Sequence, residues 1–245
     1  MAQYDGLKLT AAVLGAFMKY PCTQSYSSAV KKGSIVAANK LECKKFGIGE
    51  QEREAASFMA GHLGLIPRST PDAAHLCWSR HPLAYLMEAA DDISYSIADV
   101  DDAVDRHLLS IDDVIRFLTQ QADDATRTYL QPLLDTALQD DQGFFPCLRY
   151  QLTNDWVQLA AESYLLHKAD ILSGRFVGHL LEQEHPAINV LNALKQLARQ
   201  SIFGQREVES LELSGYAAVR GVLLTYSELL ALPATVFRRL LNGEG

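Results

Sequence analysis

The sequence contains no C-x-x-C pair, no apolar run approaching the ~18 residues of a membrane span, and no excess of basic residues. Its cysteines, Cys22, Cys43, Cys77 and Cys147, are too far apart along the chain for a zinc ribbon or a thioredoxin-type site, and they read as reduced thiols of a cytoplasmic protein. Residues 1 to 20 do not run from a basic start through a long apolar core to a small-residue cleavage site, so no secretory signal is legible there. A net charge of −8 argues against a surface built to track a nucleic-acid backbone. Alternating stretches bounded by hairpin turns are scarce, and no repeat, low-complexity tract or Pro/Gly/Ser-rich linker divides the chain. What remains is the expectation of a single all-α unit over 1–245, with no membrane partner.

With 48% hydrophobic and 21% charged residues over 245 positions, the chain can bury a substantial core. Charge is unevenly spread. The first 49 residues hold seven lysines against Asp5 and Glu42, so a basic segment joins a body more acidic than the average. That arrangement suits an anionic ligand held near carboxylates, or else two solvated faces of opposite sign.

Apolar spacing predicts helices over Leu7 to Tyr20, Glu50 to Leu63, Pro82 to His107, 111–123, 125–139, 147–173, 187–202, 207–231 and 233–242. Gly64, Pro67, Pro71, Gly143, Pro146, Pro186, Gly204 and Pro233 punctuate them. Thr23 to Gly49 is polar and lysine-rich with few apolar anchors, and it reads as a long mobile loop, a binding loop or a flexible excursion.

In the best-defined element, Leu83, Leu86, Ala90, Ile93, Ile97, Val100 and Val104 fall three and four apart and predict one buried stripe. Glu88, Asp91, Tyr95, Asp99, Asp102 and Arg106 form a second stripe beside it. Like charges at i,i+4 cost about 0.2–0.5 kcal/mol per pair, so stability alone would not select this face. A solvated acidic surface and a set of carboxylates held for a cation and a polar ligand both fit the spacing.

The string Met87-Glu88-Ala89-Ala90-Asp91-Asp92-Ile93-Ser94-Tyr95, followed by Asp99, resembles the last metal-binding motif of the bacterial dGTPase family, triphosphohydrolases of the HD-domain class. Gly6-Leu7-Lys8-Leu9-Thr10 leading to Lys19-Tyr20, Lys44-Lys45-Phe46-Gly47, Ser79-Arg80-His81-Pro82-Leu83 and Val208 to Tyr216 resemble further family segments in the same order. The resemblance implies the C-terminal portion of an HD-domain-like helical bundle. It implies that Asp91 is one ligand of a divalent metal, with magnesium, manganese, cobalt or iron suited to the mixed site. It implies further that Tyr95 packs on the sugar, that Asp99 accepts from the 3′-hydroxyl, and that Lys19 and Lys45 face the triphosphate. Phe203 and Glu212 fall on the base side, where a carboxylate can accept from guanine's ring and amino donors. The implied reaction converts dGTP and water into deoxyguanosine and triphosphate, with dGTP or another dNTP as partner. The family likeness also implies a homo-oligomer and admits single-stranded DNA as a partner.

The histidine half of that family's metal site has no counterpart in the sequence. The seven histidines are followed by Leu, Leu, Pro, Leu, Lys, Leu and Pro, so no His-Asp pair occurs, and none lies at i,i+4 to another. Individually they read as surface or satisfied helix histidines. The expectation is a fragment that is inactive by itself and does not retain the metal, with no complete catalytic set. The alternative is a non-catalytic helical module of the same fold, serving assembly or nucleotide binding.

Overall fold

A computed structural model describes residues 8–69 and 75–243. Gly6 and Leu7, which open the first of the matching segments, and Pro71, read as a helix breaker, lie outside them. The described residues form α-helices with two short 3-10 turns; pairing is limited to three isolated β-bridges, so the all-α expectation holds.

The main core joins α4 (Pro82–Asp105), α5 (Ile111–Gln121), α6 (Asp124–Gln139), α7 (Phe144–Leu166) and α9 (Pro186–Ser201). Helices α4 and α6 each pack on both α7 and α9. Trp156 of α7 is fully buried, and its indole Nε1 donates to the Ala187 carbonyl at 2.8 Å, so a large apolar ring enters the core without stranding its polar atom. Both α4 and α9 begin at a His-Pro pair. His81 and His185 accept at Nδ1 from the amides of Leu83 and Ala187, and Pro82 and Pro186 occupy the first helical position, where no amide hydrogen is needed. The predicted span 147–173 is two helices, α7 and the short α8 (Lys168–Leu172), and α7 begins at Phe144 with Pro146 inside its first turn.

Thr23 to Gly49 is not the mobile loop that its composition suggests. It contains α2 (Gln24–Lys31), N-capped by Thr23, and a 3-10 turn at Lys40–Cys43, N-capped by Asn39. Tyr26, Ala29, Cys43 and Ile48 are buried, and Thr23 bridges to Ile48. The anchors are a tyrosine, cysteines and buried polar groups rather than aliphatics at helical spacing, which is why periodicity misses them. The largest surprise is Glu42, fully buried, whose carboxylate receives Arg68 Nε and a terminal nitrogen, each at 2.9 Å.

The predicted stripe on α4 is correct from Ile93 through Ile97 to Val100, with Val104 partly buried, and wrong before it. Leu83 and Leu86 are 44% and 36% exposed and Ala90 is also exposed. The early turns instead bury Ala84, Tyr85, Glu88 and Ala89. The physical reason is electrostatic: the carboxylate of Glu88 turns inward to meet buried cations, and the adjoining leucines turn outward. Near the C-terminus, α10 (Arg206–Leu230) and α11 (Ala234–Leu241) have no buried residue, although Leu213, Tyr216, Leu223 and Leu241 are on them. Among the described residues no single helix is long and apolar enough to cross a membrane.

Candidate active site

Two helices frame the site. On α4, Asp91, Tyr95 and Asp99 follow one another at four-residue intervals and so share a face. On α9, Lys195 and Arg199 are one turn apart by the same rule, and Phe203 follows that helix's end. Asp92 and Lys195 meet at 2.8 Å, which joins the two helices.

Three cavities run along this frame and share walls. The first, about 550 Å³, is lined by Lys19, Tyr20, Lys44, Arg80, Glu88, Asp92, His179, Lys195 and Arg199, among others. The second, about 180 Å³, has Asp91, Tyr95 and Asp99 on one side and Lys195, Arg199 and Phe203 on the other. The third, about 510 Å³, begins at Asp99 and Phe203 and reaches Arg106, Glu207 and Glu212. Asp92, Lys195 and Arg199 belong to the first two, and Asp99 and Phe203 to the last two. One groove therefore passes from a cationic end, past the acids and tyrosine of α4, to an aromatic and acidic end.

Glu88 organises the cationic end. Only 3% exposed, it pairs with Lys19 Nζ through Oε1 at 3.0 Å and accepts from Arg80 on Oε2 at 2.8 Å, with His179 Nδ1 lying 3.0 Å from Oε2. Burial pushes its carboxyl upward, but the close approach of His179, the Arg80 charge and Lys19 outweigh this and hold it down at about 2. His179 is correspondingly raised, chiefly by Glu88 and against the effect of burial. Lys19 is also raised: burial lowers it, and the hydrogen bond and charge of Glu88 more than compensate. The Arg80 guanidinium donates to the Lys19 carbonyl at 2.9 Å as well, which fixes the backbone that presents Lys19. Lys44 and Arg199 line the same cavity and, among the described residues, make no carboxylate ion pair, leaving two cations to face an incoming anion.

Of the residues selected from sequence, Lys19, Asp91, Tyr95, Asp99, Phe203 and Glu212 all line the groove. Asp91 and Glu212 are exposed, as is Tyr95 at 63%. Asp99 is half-buried, and burial followed by the charge of Asp102 raises its carboxyl. Lys45 is exposed and its neighbour Lys44 is the lysine that lines the cavity; the Lys45 carbonyl accepts from the Cys22 thiol at 3.3 Å. Sequence reasoning missed Glu88 as a buried hub, together with Arg80, His179, Lys195 and Arg199. The i,i+4 pair Lys195/Arg199 was a usable signal; nothing local marks Glu88 as buried.

The resemblance implies a divalent metal at Asp91. Among the described residues no three His, Cys, Asp or Glu side chains are grouped to hold an ion. Asp91 offers one carboxylate, and the neighbouring Asp92 is engaged by Lys195.

No family model matches the chain. Individual relatives do. The chain is 32% identical over 249 residues to a protein of Yersinia enterocolitica named deoxyguanosinetriphosphate triphosphohydrolase, with 97% of this chain and 46% of that protein covered. A protein of the same name from Yersinia pestis is 31% identical with the same coverage, and one from Cronobacter sakazakii is 32% identical over 254 residues. The chain spans about half the length of the curated relatives it matches. The likeness first read in Met87 to Tyr95 thus extends along nearly the whole chain, which is similar in sequence to about half of a bacterial deoxyguanosinetriphosphate triphosphohydrolase.

Proposed function

We propose that this chain is the nucleotide-binding part of an HD-type dGTP triphosphohydrolase. In this reading Lys19 faces the triphosphate with Lys44, Lys195 and Arg199, and Lys45 approaches it from the rim. Tyr95 packs on the deoxyribose, Asp99 accepts from its 3′-hydroxyl, and Phe203 and Glu212 meet the base. The observation that carries the reading is the order of side chains along one groove: cations first, then Tyr95 and Asp99, then an aromatic with a carboxylate. That order matches the chemistry of a nucleotide read from phosphate to base.

In this reading the described residues bind and orient the nucleotide. Cations at one end draw charge from a polyphosphate, and the half-buried Asp99 and the ring of Tyr95 select the sugar. Among the described residues Asp91 is a single candidate ligand, so metal-assisted hydrolysis requires further ligands. Photolabelling with 8-azido-dGTP should mark peptides carrying Phe203 and Glu212, and excess dGTP should protect them. Labelling confined to other segments would refute the reading. Triphosphate release by the chain alone should stay at background; release that Asp91→Ala abolishes would overturn the assignment of an incomplete site.

A second reading, a helical assembly module, is favoured by the bare apolar faces of α10 and α11. A homo-oligomer lost on Leu213→Glu, in a chain that never labels with the azido nucleotide, would support it instead.

A further inference from the structure

The geometry points to a disulfide site that pairs Cys22 with Cys77. The two residues lie opposite each other in an antiparallel bridge. The Thr23 amide donates to the Leu76 carbonyl, and the Trp78 amide donates to the Pro21 carbonyl, each at 2.9 Å. Because these bonds flank the pair, Cys22 and Cys77 are a non-hydrogen-bonded pair, the narrow kind. In such pairs the Cα atoms are about 4.5 Å apart and the side chains stand on the same face. That separation falls inside the roughly 4.4–6.8 Å window that a disulfide requires.

Side-chain observations agree with the backbone. Both residues are buried as free thiols, with the Cys22 Sγ donating to the Lys45 carbonyl at 3.3 Å and the Cys77 Sγ to the Trp78 carbonyl at 3.7 Å. They belong to one cluster with Tyr26 and a third thiol, Cys43. Cys43 turns back on its own 3-10 turn, where its Sγ donates to the carbonyls of Asn39 and Lys40, each at 3.6 Å. Cys147 is on α7, outside the cluster. Of the possible pairings, only Cys22 with Cys77 has the backbone register of a cross-strand bond.

The position gives the bond a structural consequence. Cys22 follows Lys19 and Tyr20, and Cys77 precedes Arg80, so the link would staple together the two segments that bring Lys19 and Arg80 to Glu88. The neighbouring Cys22 thiol, followed by burial, raises the Cys77 thiol, so the reactive thiolate is scarce in the folded chain and pairing is expected as the chain folds. With a small-molecule disulfide as oxidant, one cysteine thiolate attacks a sulfur and expels a small thiolate. The second cysteine thiolate then attacks the mixed disulfide and expels the other. The two protons are taken by the released thiols; one disulfide is reduced and one is formed.

The test is to refold the reduced full chain in a glutathione redox buffer, trap free thiols by alkylation, and map linked peptides. The 22–77 link should exceed 22–43 and 43–77 together by about tenfold, with Cys43 and Cys147 recovered as alkylated thiols. Cys43→Ser should leave the link in place, and the linked form should show slower amide exchange at 22–23 and 76–78 than the reduced form. A statistical mixture of the three pairings, a dominant Cys43 link, or a folded chain with no link would each overturn the proposal.

Discussion

Asp92 on α4 and Lys195 on α9 form an ion pair of 2.8 Å across the groove, each side chain about a quarter to a third exposed. A pair so open to water contributes little to stability, roughly 0–1 kcal/mol, because solvent screens it and two side chains must be ordered to make it. Its value lies in holding a cation at the junction of the first two cavities.

Lys195→Ala should therefore leave chemical denaturation within about 1 kcal/mol of wild type. The same variant should weaken dGTP binding severalfold, and Arg199→Ala should do likewise. A calorimetric titration beside a urea melt separates the two effects. A large loss of stability with unchanged affinity would make Lys195 a structural residue only.

Glu88 behaves oppositely because it is buried. Glu88→Gln strands Arg80 and Lys19 without a carboxylate, and breaking a buried pair in this way costs on the order of 3 kcal/mol. The acid limb follows from its depressed carboxyl. Its contribution is complete above pH 4.5 and is lost as the pH falls toward about 2. Urea midpoints measured down this range should fall in wild type more steeply than in Glu88→Gln.

His179 supplies the alkaline counterpart. Its imidazole faces Glu88 and Glu182, with Arg80 opposing, and it is raised above 6.5. A raised base stabilises while protonated, so the contribution is complete below pH 6.5 and disappears as the pH climbs through the folded-state value. His179→Gln should be less stable at low pH and should lack that decline. Stability that rises with pH through this range in wild type, relative to the variant, would contradict the assignment.

Protection of Thr23 to Gly49 gives a structural check. Amides in the second half of α2, and the Thr23 amide that donates to Leu76, should exchange slowly, at a rate nearer to α4 than to an open loop. Fast exchange across the whole segment would restore the mobile-loop reading.

The helices were largely legible because aliphatic spacing, His-Pro starts and glycine breaks act locally, and α4 and α9 read well on those signals. The direction of the first turns of α4 was not legible. A pattern scale reads glutamate as outward and leucine as inward, whereas Glu88 faces Arg80 from just ahead of the helix and Lys19 and His179 from distant segments, and Leu83 and Leu86 face outward. Long-range pairing of that kind leaves no periodic trace. The same limit hid the fold of Thr23 to Gly49, anchored by Tyr26, Glu42 and Cys43. Within the candidate site, Asp91, Tyr95 and Asp99 are marked by motif resemblance, while the i,i+4 spacing of Lys195 and Arg199 is a local signal whose partner face shows only once α9 stands opposite α4.

The most direct test of the central claim, that the groove binds a deoxynucleoside triphosphate with Tyr95 against the sugar, is an equilibrium titration with dGTP and GTP of wild type and Tyr95→Ala. The account predicts that wild type prefers dGTP by about tenfold, a difference of roughly 1.4 kcal/mol, and that the preference collapses in Tyr95→Ala while dGTP still binds. Equal affinity of wild type for the two nucleotides, or a preference untouched by Tyr95→Ala, would contradict it.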